Sequence, residues 1–348
     1  MISTTKLVAA AGLLGPHAVR EAAAIIAPFA LCTPILRSDH IDSITGIAVH
    51  FKCEHLQLTG SFKARGALNA VMSLPDDVAA RGVVAHSTGN HGAAVAFAAR
   101  IRGVPCTIVI PTTTPTAKAS NIARYGATLV RCAPTPAARE AAAAAEAAKL
   151  GGSIIHPFDD ALVVAGQGTI GAELLDQVAG LDAILVPVSG GGMLAGIAAA
   201  CSGTRTRVIA VEPQGKRLRH ALEAGARCVF SPEELRGRPT VPTVADAIPT
   251  ILLGERVAWP VVRALVDPRD VVTVDDAAIG AALRLASTEL KQAVEPAGAV
   301  TLAGLLSPDF RELRRDEARP LRNVAAVMSG GNVDLATLAR LLSPLALA

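Results

Sequence analysis

The chain has 348 residues, long enough for two packed layers around a sizeable core, in one large domain or two of ordinary size. Lys plus Arg number 33 and Asp plus Glu 30, a net charge of +3, which leaves no electrostatic footprint for nucleic acid or an anionic membrane. With 51 % hydrophobic, 18 % charged and 3 % aromatic residues, the composition excludes a disordered chain and offers no stacking platform for single-stranded nucleic acid.

Along the chain, the apolar run Leu7 to Leu14 follows Ser3, Thr4 and Thr5, which read as N-cap residues of an amphipathic helix rather than as a leader. No apolar run approaches the roughly 20 residues of a membrane span. Six cysteines are scattered without C-x-x-C, and eight histidines without H-x₃-H or H-E-x-x-H, so reduced thiols in a cytoplasmic protein are expected, with no metal cluster. Short β-branched runs then alternate with polar or glycine-rich turns and alanine-rich helical stretches. Val83 to Ala85 leads into STGNHG and the helical Ala93 to Ala99. Cys106 to Ile110 precedes a helix over Thr116 to Tyr125, and Pro134 to Lys149 reads as a surface helix. Ala183 to Val188 leads into SGGG and Met193 to Cys201, Val208 to Val211 is a further strand, Phe230 to Pro242 an irregular excursion, and Val324 to Met328 ends in SGGN. This is the βαβ pattern of a mainly parallel sheet, in which ligands sit beyond the carboxyl ends of the strands.

Four segments carry candidate chemistry. In Thr59 to Gly66, Ser61 reads as the N-cap of a helix over Phe62 to Met72. Lys63 then falls in the first turn, where the helix dipole disfavours a cation, and Arg65 adds a like charge. Both favour the neutral amine of a Schiff-base lysine, although an ordinary surface lysine fits the placement too. Ser87-Thr88-Gly89-Asn90-His91-Gly92 offers short polar side chains and helix-start amides to a carboxylate or hydroxyl, or is a plain capping loop. Ser189-Gly190-Gly191-Gly192-Met193 is a phosphate cradle by backbone amides. Alternatively, Gly190, Gly192 and Ala195 with Glu212 about 20 residues on fit a dinucleotide fingerprint. Ser329-Gly330-Gly331-Asn332 places a hydroxyl after the last strand, or is a turn.

Together the segments FKCEHLQLTGSFKARGALNAV, STGNHG, RYGATLV, GQGTIGAEL, PVSGGGMLAGIA, TVADAI, EPAGAV and MSGGNVDL, in this order from about Thr33 to Leu335, resemble the fold-type II pyridoxal-phosphate enzymes, specifically the serine/threonine dehydratase and serine racemase group. The dinucleotide reading explains one of these segments and leaves the others idle. The resemblance implies two three-layer α/β domains with mainly parallel sheets, as in the tryptophan synthase β chain. The larger would comprise residues 1–76 and 159–348, with the smaller, 77–158, inserted into it.

By the same resemblance, Lys63 bonds to the aldehyde of pyridoxal 5'-phosphate and then acts as base at the substrate Cα. Gly190, Gly191, Gly192 and Met193 hold the cofactor phosphate, Asn90 bonds the ring hydroxyl, Phe62 packs on the ring, and Glu295 borders it. Ser329 faces the pyridine nitrogen, while Ser87, Thr88, Gly89 and His91 bind the substrate carboxylate. Thr88 joins Lys63 as a catalytic candidate: racemases carry serine there, and the threonine methyl, which stiffens and fills the site, argues against racemization. A divalent-metal site of some members pairs an acid at Glu212 with a second acid six residues on, where Leu218 stands, so no metal is expected. The expected activity is ammonia-lyase (dehydratase) chemistry on a small hydroxy-amino acid such as L-threonine or L-serine. Alternatives are a hydroxyectoine-utilization dehydratase, to which His55 and STGNHG point, an amino-acid racemase, and a non-catalytic cofactor-binding protein. The partner expected is a small-molecule substrate, with a homodimer common among relatives and neither nucleic acid nor membrane involved.

Overall fold

The computed structural model describes residues 14–237 and 240–343; the expected helix over 7–14 thus lies, but for Leu14, outside the described residues. Ten strands form two sheets. The first has six strands in the order β1 (Ile35–Leu36), β2 (Ala48–Lys52), β10 (Asn323–Val327), β7 (Ala183–Pro187), β8 (Arg207–Pro213) and β9 (Val271–Val274), parallel except at the β1–β2 edge. The second has four parallel strands in the order β5 (Thr128–Cys132), β4 (Cys106–Pro111), β3 (Val83–His86) and β6 (Ser153–Ile154). Mixed helix and parallel sheet bear out the α/β architecture. The central strands are buried on both faces, as near-continuous runs such as AILVP and CTIVIP require. The excursion expected over 230–242 contains a short helix, Pro232–Gly237: Ser231 Oγ accepts the Glu234 amide and Glu234 reaches back to the Ser231 amide, a capping box. Among the described residues no helix is long and apolar enough to cross a membrane.

Strand order positions the site. β10, last in the chain, lies between β2 and β7, pairing Val327 with Lys52 and Ala326 with both Phe51 and Leu185. The carboxyl ends of three strands distant in sequence therefore stand side by side, bringing the loop before Lys63, the SGGN loop and the SGGG turn to one edge. Helix packing holds them there. The helices Lys63–Met72 and Gly192–Cys201 both press on Ala161–Gln177 through glycine. A methyl on Gly66 would lie 2.7 Å from the Val163 carbonyl, and one on Gly196 2.3 Å from that of Val164. The helix Ala161–Gln177 starts where Asp160 accepts the amides of Leu162 and Val163.

Candidate active site

Lys63, Phe62, Ser87 to His91, Gly190 to Met193, Glu295 and Ser329 line one cavity, about 1120 Å³, at the carboxyl ends of the strands, whereas His55, Arg65, Glu212 and Leu218 lie outside its lining. The Lys63 loop is stitched to the SGGN loop. Ser61 bridges Gly330, Phe62 N–H donates to the Ser329 carbonyl at 3.1 Å, and Gly331 N–H donates to that of Gly60 at 2.9 Å. This corrects one expectation: Ser61 is not the helix N-cap. Its backbone is extended to make the bridge, its hydroxyl is buried without a partner, and the helix begins at Lys63 after Phe62.

Lys63 remains in the first turn, half-buried. Its Nζ donates to the Pro157 carbonyl at 2.7 Å and lies 5.1 Å from the centre of the Phe62 ring. Burial lowers its pKa to about 8 against the opposing pull of Glu295. Arg65 plays no part in this, contrary to expectation. Two residues on, it projects away from the cavity and is consumed by Glu54 (2.7 and 2.8 Å) and Glu173 (2.6 and 2.9 Å). At pH 7 roughly a tenth of an amine of pKa 8 is neutral, against roughly one part in three thousand at the ordinary value. Modification of Lys63 by an amine-directed reagent, followed by peptide mass spectrometry, should therefore rise about tenfold per pH unit below 8 and level off above it. Reactivity still climbing steeply at pH 10 would contradict the depressed value.

Across the cavity, Asn90 opens the helix Asn90–Arg102. Its amide nitrogen donates to both Glu295 oxygens (2.9 and 3.2 Å), and its oxygen accepts from Asn332 Nδ2 at 2.8 Å. Burial pushes Glu295 up to about 7, against the Asn90 bonds. Asn332 also donates to the Thr59 carbonyl at 2.7 Å, tying this network to the Lys63 loop. Ser87, Thr88 and Gly89 are half-buried in the cavity wall, with Ser87 Oγ accepting the Gly89 amide. As at any helix start, the first amides from Asn90 onward have no intrahelical acceptor. His91 is buried, with Nε2 2.9 Å from the Ile155 carbonyl and Nδ1 without a partner. Burial holds it neutral, well below the ordinary imidazole value. Nε2 is therefore the donor and Nδ1 a bare acceptor, so what His91 offers an anion is its backbone amide. Ser329 is buried and donates to the Ala297 carbonyl at 3.2 Å.

The SGGG turn has the character of an anion cradle. Gly191 has φ +87°, a conformation that favours glycine. A methyl on Gly190 would lie 2.4 Å from the Phe158 ring and one on Gly192 2.9 Å from the Phe158 backbone, so side chains are excluded. Met193 is buried in the first helical turn, and the turn amides precede the first helical bond, Ala195 N–H to the Gly191 carbonyl. Gln167 adds a buried Nε2 with no partner in the same wall. Neither it nor Asn332 was singled out in advance; GQGTIG and SGGN contained them, but an amide side chain in a helix gives no local sign of the face it lines. At the second-acid position the structure places no side-chain oxygen ligand beside Glu212. Leu218 is apolar, and Glu212 accepts its amide (3.0 and 3.2 Å) beside the buried Lys216. The same bonds remove Glu212 from the dinucleotide reading.

An amine poised for an aldehyde and a phosphate cradle in one pocket thus fit pyridoxal phosphate. Residues 26–330 match the family model described as pyridoxal-phosphate dependent enzyme. The chain belongs to this family. It is 42 % identical over 322 residues to a serine racemase of Arabidopsis thaliana, covering 92 % of this chain and 93 % of that one. It is 39 % identical to a beta-hydroxyaspartate dehydratase of Paracoccus denitrificans, covering 89 % and 93 %. The structure of a threonine deaminase from Solanum lycopersicum superposes with a TM-score of 0.83 at 30 % identity, covering 93 % of this chain and 86 % of that one. The protein is a fold-type II pyridoxal-phosphate-dependent enzyme.

Proposed function

We propose that this enzyme is an ammonia-lyase acting on a small hydroxy-amino acid such as L-threonine or L-serine. It would eliminate the β-hydroxyl and release a 2-keto acid and ammonia. When bound, pyridoxal phosphate supplies the electron-withdrawing group that makes the Cα–H bond acidic. Lys63 would hold it through Nζ and, once the substrate amine has displaced Nζ, would take the Cα proton there. The SGGG amides hold the phosphate, Phe62, Asn90 and Glu295 border the ring, and Ser87 to His91 orient the substrate carboxylate. The β-oxygen leaves with a proton as water, and hydrolysis of the enamine product gives keto acid and ammonia.

The observation that carries this reading is the neutral hydroxyl of Ser329, buried and bonded to a main-chain carbonyl in the same pocket as Lys63. A carboxylate at this position would favour a protonated cofactor ring, which would withdraw electrons more strongly from the substrate. A hydroxyl does not, which favours departure of the β-substituent in concert with Cα–H cleavage. Ser329→Asp should therefore move the ratio of elimination to chirality exchange about tenfold or more toward exchange, read as keto acid against D-isomer. An unchanged ratio would argue against this role.

Racemization is the second reading, favoured by the serine racemase relatives; the threonine methyl at Thr88 speaks against it. The deciding assay is a panel of L- and D-serine, L- and D-threonine, 3-hydroxyaspartate and hydroxyectoine, followed for keto acid, ammonia and chirality. Elimination predicts keto acid and ammonia in equal amounts from an L-hydroxy-amino acid. Chirality exchange without keto acid would overturn it.

A further inference from the structure

Lys216 is a buried lysine that the proposed chemistry leaves unused. It follows β8 in a turn whose neighbours, Gly215 (φ +100°) and Arg217 (φ +62°), both adopt left-handed conformations. This turn aims Lys216 inward, where the residue is 2 % exposed. Its Nζ donates to the carbonyls of Thr250 (2.5 Å) and Ile251 (2.9 Å). Burial lowers its pKa against the opposing pull of Glu212, which is also buried.

The segment it grips is the wall of the active site. Thr243, Val244 and residues 246–250 line the cavity, and the Val241 amide closes on the Pro249 carbonyl at 2.8 Å. Immediately after Ile251, Leu253 backs Gly191, where a methyl would meet it at 2.7 Å, and the Gly254 amide donates to the Gly190 carbonyl at 3.0 Å. The two carbonyls held by Lys216 thus sit between the substrate wall and the support of the SGGG turn. Leu218 is apolar and its amide holds Glu212, so it is the amine of Lys216 that satisfies these two carbonyl oxygens.

We propose that Lys216 is a positioning residue, whose buried amine sets segment 240–254 against the cofactor cradle. The test uses the holoenzyme of Lys216→Met and of the double variant Lys216→Met/Glu212→Gln, which removes the uncompensated carboxylate and keeps the comparison readable if the single variant does not fold. Cofactor affinity from visible absorbance, KM against kcat, and amide hydrogen exchange of 250–254 are measured. In the double variant we expect cofactor affinity about tenfold weaker, KM raised about tenfold with a smaller change in kcat, and exchange about tenfold faster, as befits the loss of two hydrogen bonds from a buried amine. A double variant within twofold of the parent in all three would overturn the proposal, because Lys216 would then only balance Glu212. Cofactor affinity and exchange are read without turnover, so this outcome is distinct from failure of the lyase assignment.

Discussion

Replacing Lys63 by alanine should abolish the borohydride-fixed attachment of cofactor to the chain and lower turnover by roughly four orders of magnitude, the upper range for losing a positioned proton-transfer group. The geometry explains why no neighbour substitutes for it. Glu295 is engaged by Asn90, His91 is locked to the Ile155 carbonyl, and His156, pushed down to about 4 by burial, has Nδ1 occupied by the Phe158 and Asp159 amides. Lys63→Arg should fail equally: it keeps a cation but is never deprotonated at working pH. Because the cradle is built of backbone, the alanine variant should still bind cofactor non-covalently, with an absorbance near that of the free aldehyde. Steady-state activity within tenfold of the parent would remove Lys63 from the mechanism.

Removing Glu54 should produce the largest loss of stability. Arg65 and Glu54 are both fully buried, and the guanidinium is gripped from two sides by Glu54 and Glu173, with Lys52 joining Glu173 at 2.5 Å. Glu54→Ala leaves a buried guanidinium short of its principal counter-charge, a defect that costs about 3–5 kcal/mol. The network sits under the helix that begins at Lys63, so the damage reaches the site as well. Chemical denaturation should give a lower midpoint with little change in slope, and a loss below 1 kcal/mol would mean that Glu173 alone satisfies Arg65. Glu54→Gln, which keeps the shape and one acceptor, should lie between.

Much of this could be read in advance where local pattern and local chemistry coincide. The β-branched runs at 83, 106, 183, 208 and 324 are strands, and the polar or glycine-rich segments behind three of them line the cavity. What escaped depends on distance. The placing of β10 between β2 and β7 is a pairing over more than 100 residues and leaves no periodic mark. The placement of Lys63 predicts a depressed pKa through the helix dipole and the like charge of Arg65, whereas in the structure burial is the leading cause. Ser61 looked like a cap because serine before a helix often is one, and the bridge to Gly330 overrode that preference. Lys216 resembled any basic residue after a strand; its acceptors are main-chain oxygens, which no side-chain motif can announce.

The two sheets divide the pocket unequally. The amine, the SGGG turn and the Ser329 hydroxyl all spring from the six-stranded sheet and its helices, whereas the STGNHG loop belongs to the four-stranded one. The division is incomplete, because Ala67, Leu68 and Val71 of the helix that carries Lys63 share one buried core with Ala93, Val95 and Ile108 of the four-stranded layer. A substitution in that common core would be felt at the amine as well as at the loop that meets the incoming molecule.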